Sequence, residues 1–181
     1  METLYQQIQH RARRIVSSFP EPDFYCVFAE ANALSRHHLE KNPELQKLNQ
    51  TVDTYLDDDF GHGLQHAIKV ALDAGTLMIV EGRRTGYSKA FGQRRMFLAQ
   101  CAGLLHDIMR KKSDHAIAGA ALAEEILDDF LLTAAETRDV CDAIRNHEAF
   151  KKTIKIHSPE GELISDCLYD AEKFRWGPEH F

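Results

Sequence analysis

Histidines and carboxylates at helical spacings carry most of the reactive chemistry in this chain. His106 and Asp107 stand side by side at the end of Met96–Ile108 (MFLAQCAGLLHDI), a run that is apolar almost all round. Such a run reads as a buried central helix. A carboxylate at its C-terminal end meets the negative pole of the helix dipole, and burying it unpaired is costly. A bound cation removes both conflicts. The plain structural alternative is an exposed helix end where Asp107 has only Arg110 and Lys111 for company.

Further histidines bear on that choice. His66 shares a helical stripe with Val70, Ala74 and Leu77, so a polar ring interrupts an apolar face and points inward. His115 begins the stripe of Ala118, Gly119, Leu122 and Ile126, and His147 ends the stripe of Val140, Ala143 and Ile144. Each ring alone reads as a satisfied core histidine. On four different helices, together with Asp107, they point to one cation-holding pocket. His62 lies one turn before His66 and suits a two-histidine metal site by spacing; it is read as a cap-region residue or an outer partner of a ligand. Neutral imidazole with carboxylate suits divalent iron, manganese, zinc, cobalt, nickel or magnesium, one ion or two, and does not select among them.

Helices must position these groups. Apolar residues recur three and four apart between breakers, no internal repeat is present, and 181 residues with 44% hydrophobic content suffice for one core. The expectation is an all-α, single-domain bundle, with residues 1–50 as N-terminal helices packed on the core and 51–181 as the metal-binding helical domain. Helices are expected at about 4–17, 24–39, 43–50, 61–81, 92–110, 114–129, 134–150 and 160–174. Starts are marked by Thr3 with Gln6, Asn42 before Pro43, Thr133 with Glu136, and Ser158 before Pro159. Gly82 to Ala90 is read as a flexible loop, flanked by Arg83-Arg84 and Arg94-Arg95, which are placed to reach a nucleotide or a partner if they are not simply solvated.

Charge and composition exclude other classes. A net charge of −6 argues against general nucleic-acid binding, which needs a concentrated basic surface. The four cysteines form no CxxC pair, no apolar run is long enough to span a bilayer, and the first residues are polar rather than signal-like. A soluble, cytoplasmic protein is expected; its oligomeric state is not legible.

With these residues in view, the chain resembles the HD superfamily of metal-dependent phosphohydrolases over about Asp57 to Trp176. HAIKVA at His66–Ala71 looks like the first-ligand helix of that family, and LLHDI at Leu104–Ile108 looks like its signature pair. HAIAGAALAEEIL from His115 and VCDAIRNH ending at His147 are similar to the helices that add two histidines in dinuclear members. YDAEKFRW resembles the terminal motif, with Glu172 at the position where the family carries aspartate and Asp170 two residues earlier. Helical periodicity puts Asp170 nearer the Leu163, Cys167 and Phe174 face, while alignment of the motif favours Glu172, and residues two apart cannot share one face. Relatives commonly continue with more helix beyond this motif, where this sequence stops at Phe181.

The resemblance implies that His66, His106, Asp107 and either Asp170 or Glu172 hold one metal ion. His115 and His147 hold a second ion bridged by Asp107, or else one of them serves as proton donor beside a single ion. Metal-activated water then hydrolyses a phosphomonoester or phosphodiester, a small and nucleotide-like phosphate substrate. Arg110, Lys111 and Lys112 follow the His-Asp pair, and Lys173 follows the last carboxylates, where Lys111, Lys112 and Lys173 are candidates to neutralise substrate phosphate; solvation of a short loop is the equal alternative for Lys111 and Lys112. Two other readings remain within the resemblance: a dinuclear-iron oxygenase, and a catalytically silent HD module for signalling or binding.

Overall fold

Capping chemistry sets the helix starts. Thr3 accepts from the Gln6 amide while the Gln6 side chain accepts from the Thr3 amide, and Thr133 with Glu136 forms the same reciprocal box. Asn42 and Ser158 accept from first-turn amides, each ahead of a proline at the first helical position.

The structure, a computed structural model, describes residues 3–20, 22–56 and 63–174. Among them the regular elements are all helices: α1 (Leu4–Val16), α2 (Asp23–Val27), α3 (Ala29–Lys41), α4 (Pro43–Asp53), α5 (Leu64–Arg84), α6 (Lys89–Leu105), α7 (His115–Leu127), α8 (Ala134–Asn146) and α9 (Pro159–Lys173). The all-α fold expected from periodicity is the fold observed, and among the described residues no helix is long and apolar enough to cross a membrane.

Some boundaries differ from the sequence pattern for tertiary reasons. The helix expected over 24–39 breaks at Phe28, whose backbone (φ −107°, ψ 27°) leaves helical geometry. The break lets α2 tilt, so that Phe24 packs edge-on to Phe174 with centroids 5.0 Å apart, and the Tyr25 hydroxyl donates to Asp73 at 3.1 Å. The loop expected from Gly82 shrinks to residues 85–88, because Gly82 stays inside α5 and its carbonyl accepts from the Tyr87 amide at 2.9 Å. Gly86 makes the turn at φ 76°, where a side chain is strained. Arg94 and Arg95 do not reach outward: Arg94 grips Glu136 with two hydrogen bonds of 2.7 and 2.8 Å, and Arg95 pairs with Asp139 at 3.0 Å.

The core forms around α6, which is buried at every position from Met96 to Leu105. A helix with no polar face must be covered on all sides; α4, α5, α8 and α9 all lie against it. Helix α5 packs closest. A Cβ placed on Gly103 would lie 2.5 Å from the Ala71 Cα and 2.7 Å from its nitrogen, so the two backbones touch there. Of residues 1–50, α3 and α4 lie against α5 and α6, while α1 keeps Leu4, Ile8 and Ile15 exposed.

This packing has one consequence for chemistry. The short turn after α5 makes α5 and α6 an antiparallel hairpin, which returns the end of α6 to the start of α5. The start of α7 and the ends of α8 and α9 arrive at the same pole, where a residue from each of the five helices meets its neighbours.

Candidate metal centre

Two of the rings at this pole are held by one local device. His106 caps the end of α6 and its Nδ1–H donates to the Gly103 carbonyl at 2.8 Å; His147 caps α8 and its Nδ1–H donates to the Ile144 carbonyl at 2.6 Å. Carbonyls of a last helical turn lack their usual i+4 amide partners; the Gly103 carbonyl takes the His106 ring in that place, and the Ile144 carbonyl takes the His147 ring beside a longer bond of 3.4 Å from the His147 amide. A carbonyl only accepts, so the proton sits on Nδ1 and the Nε2 lone pair faces the cluster.

His66 enters from the first turn of α5, after Gly63, and its Nε2 lies 3.1 Å from Glu172 Oε2 in the last turn of α9. The same Glu172 oxygen is 3.5 Å from His106 Nε2. Ring centroids step from His66 to His106 at 5.3 Å, from His106 to His147 at 5.2 Å, and from His147 to His115 at 5.2 Å.

Asp107 lies along this row and its two oxygens divide it. Oδ2 is 3.5 Å from His106 Nε2, whereas Oδ1 is 3.5 Å from His147 Nε2 and 3.6 Å from His115 Nε2. Two ligand groups follow. His66, His106 and Asp107 offer atoms within 4.8 Å of one another, and so do Asp107, His115 and His147.

Electrostatics suit a bound cation. All six residues are buried, with Glu172 at 4% exposure and His106 at 0%. Burial pushes the His106 ring down, but Asp107 and Glu172 outweigh it and hold the ring up at about 9. Burial likewise works against the Glu172 anion, yet His106 and His66 hold its carboxyl well below the usual range. Burial lowers His66 and His115 despite nearby carboxylates. Asp107 and Glu172 thus favour positive charge at the His106 position, which is the charge a bound ion would supply.

The donor set passes the same test. The Nε2 atoms of His106, His115 and His147 are buried with no hydrogen-bond partner among the described residues. Buried polar atoms in folded proteins nearly always have one. Lone pairs converging beside two carboxylates make a nitrogen and oxygen set suited to a divalent transition metal.

Of the two candidates for the last ligand, only Glu172 reaches the cluster. Asp170 is exposed on the opposite side of α9, which corrects its candidacy: two residues of helix turn it away from His66. Lys173 is half-buried; its Nζ donates to the His147 carbonyl at 3.3 Å and sits 4.6 Å over the Tyr169 ring. Burial lowers its pKa against the pull of Glu172 and Asp107. Arg110 pairs with Asp107 at 3.3 Å, while Lys111 and Lys112 are exposed on the following turn, outside the cluster. His62 lies outside the described residues. Sequence reasoning missed Glu148, whose Oε1 is 3.8 Å from His115 Nδ1; its adjacency to His147 was the available signal.

The HD domain family matches residues 63–171, and no curated protein and no solved structure matches the chain. The family match covers more than half of the 181 residues, from the turn before His66 to the residue before Glu172. With the His-Asp pair at the end of its buried helix, this chain belongs to the HD domain family, whose members are in general metal-dependent phosphohydrolases.

Proposed function

We propose that this protein hydrolyses a phosphate ester of a small, nucleotide-like metabolite at a two-metal centre in residues 51–181, with the helices of residues 1–50 packed on it. The observation that carries the reading is the division of Asp107: one oxygen faces His106, the other faces His115 and His147. A carboxylate can bridge two ions with its two oxygens, and an imidazole with one lone pair cannot.

His66, His106, Asp107 and Glu172 would hold one ion, and Asp107, His115 and His147 the other. Divalent ions there supply an acidified water as nucleophile and polarise the phosphoryl oxygens. The chain's own residues do the rest. Gly103 and Ile144 carbonyls fix two ring tautomers before any ligand arrives, and burial keeps the lone pairs from being spent on solvent. Lys173, held by the His147 carbonyl, places a cation beside the carboxylates, where it offsets substrate phosphate charge. Lys111 and Lys112, exposed after the His-Asp pair, would meet the outer part of the same anion.

The test is phosphate release from a panel of phosphomonoesters and phosphodiesters by protein loaded in turn with iron, manganese, zinc, cobalt, nickel and magnesium. Release with at least one ion, lost in a folded His106→Ala variant, is expected. Silence across every ion and ester overturns the reading, and oxygen uptake by the iron form in its place would mark an oxygenase.

A further inference from the structure

His115 opens α7, whereas His106 and His147 close α6 and α8. The difference decides what can hold the proton of each ring. At the two helix ends, the Gly103 and Ile144 carbonyls accept the Nδ1–H of the closing rings. A helix start leaves orphaned amides instead of carbonyls, and its side chains tilt back beyond the first turn, so α7 itself offers His115 no such acceptor. An acceptor has to come from another part of the chain.

Glu148 supplies one. Its Oε1 lies 3.8 Å from His115 Nδ1, while on the other edge of the ring Nε2 lies 3.6 Å from Asp107 Oδ1. The imidazole thus stands between two carboxylates, with one nitrogen toward each. A neutral ring carries a single N–H, and an ionised carboxylate only accepts. With the proton toward Asp107, Nε2 has no lone pair left for an ion. With the proton toward Glu148, that lone pair faces the Asp107 oxygen that His147 also faces.

The fold holds Glu148 where this choice is made. It follows His147, whose Nε2 is 3.5 Å from Asp107 Oδ1, so adjacent residues carry one proposed ligand and the carboxylate that faces another. Asn146, the buried last residue of α8, ties off the chain beyond them: Oδ1 accepts from the Ile154 amide at 2.8 Å and Nδ2 donates to the Ile154 carbonyl at 3.0 Å. The Glu148 side chain is 21% exposed, which leaves it room to rotate and close the remaining distance to hydrogen-bond length.

Building on the two-metal reading, we infer that Glu148 is a positioning residue of the second ion site: it holds the His115 proton on Nδ1 and so keeps Nε2 as a ligand beside Asp107 and His147. Glu148 acts through the ring and touches neither ion nor substrate. An orienting carboxylate of this kind fixes both the tautomer and the direction of a ligating imidazole.

The experiment uses the full chain as wild type, Glu148→Gln and Glu148→Leu, with zinc alone as the probe. NMR of nitrogen-labelled, metal-free protein, at a pH where the ring is neutral, reads the His115 tautomer; calorimetric titration with zinc reads the two sites. Wild type carries the proton on Nδ1. Glu148→Leu moves His115 toward the Nε2–H form and weakens the second zinc about 10- to 100-fold, leaving the first unchanged. Glu148→Gln, whose amide oxygen accepts the same proton, keeps the wild-type tautomer and most of the affinity. Glu148→Asp, one methylene shorter, weakens the second site in the same sense and carries the test where Glu148→Leu does not fold. An unmoved tautomer in the leucine and aspartate forms, or equal loss at both sites, overturns the inference. If wild type takes up one zinc or none, the two-metal reading falls, and the role of Glu148 is still decided by the tautomer.

Discussion

His66 Nε2 and Glu172 Oε2 stand 3.1 Å apart, although one belongs to the first turn of α5 and the other to the last turn of α9. Helix α9 lies directly on α5, so this contact brings the start of the family-matched region to the residue just past its end, at one proposed ligand position. Glu172→Gln is expected to weaken metal binding by more than about 100-fold, beyond what loss of an outer partner costs. Asp170→Asn, altering an exposed residue two positions earlier on the opposite side of α9, is expected to leave affinity unchanged. Metal titration of both variants checks the assignment, and equal losses in the two would defeat it.

Two ions per chain are expected in protein purified without chelator, and one in His115→Ala or His147→Ala. Those rings contact only the Oδ1 side of Asp107, so the group containing His66 and His106 keeps its own donors. Elemental analysis reads the ratio. A wild-type value of one removes the bridging role of Asp107.

Metal should stabilise the fold, since the proposed ligands come from five helices that converge only in the native state. An ion at a hundred times its dissociation constant adds about 2.7 kcal/mol. Thermal unfolding with and without chelator measures this; a Tm indifferent to metal would mean that the cluster binds none.

Away from the centre, the Arg94 grip holds the Glu136 carboxyl down at about 2, with burial opposing and the Thr133 cap assisting. A carboxyl depressed in the folded state stabilises above its unfolded value, and that contribution is lost as pH falls through the folded one. Glu136→Gln is therefore expected to cost about 1 kcal/mol at pH 7, a small figure because solvent screens the half-exposed Arg94. The two proteins should converge as pH falls from about 4.5 toward 2. Urea unfolding across that window checks the convergence; a constant gap means that the carboxylate charge is not what matters.

Gly103→Ala should destabilise by about 1–3 kcal/mol, the usual cost of overpacking, because the added methyl meets Ala71 backbone atoms rather than a movable side chain. Since α5 and α6 carry His66 and His106, metal affinity should fall with it. Denaturation and metal titration of the same variant test whether the close approach sets the distance between those ligands.

Much of this protein was legible as pattern. Caps at Thr3, Asn42, Thr133 and Ser158 are local chemistry, decided within three or four residues, and they stand where the sequence puts them. The buried α6, the inward stripes under His66, His115 and His147, and the conflict of Asp107 with its own helix end likewise follow from spacing and from a helix with no polar face.

Other features depend on distance in space. Periodicity gives each residue an angle around its own helix but says nothing of which helix lies opposite, so Asp170 and Glu172 stayed open until α9 was laid on α5. The division of Asp107 between two sets of rings, the break at Phe28, the capture of Arg94 and Arg95 by α8, and the approach of Glu148 to His115 arise from packing between segments far apart in the chain. The sequence determined which groups could bind a cation and on which helix face each lies. Tertiary structure alone decided which meet, because ligand distances are set by how closely backbones pass, and at Gly103 and Ala71 that closeness turns on a missing methyl.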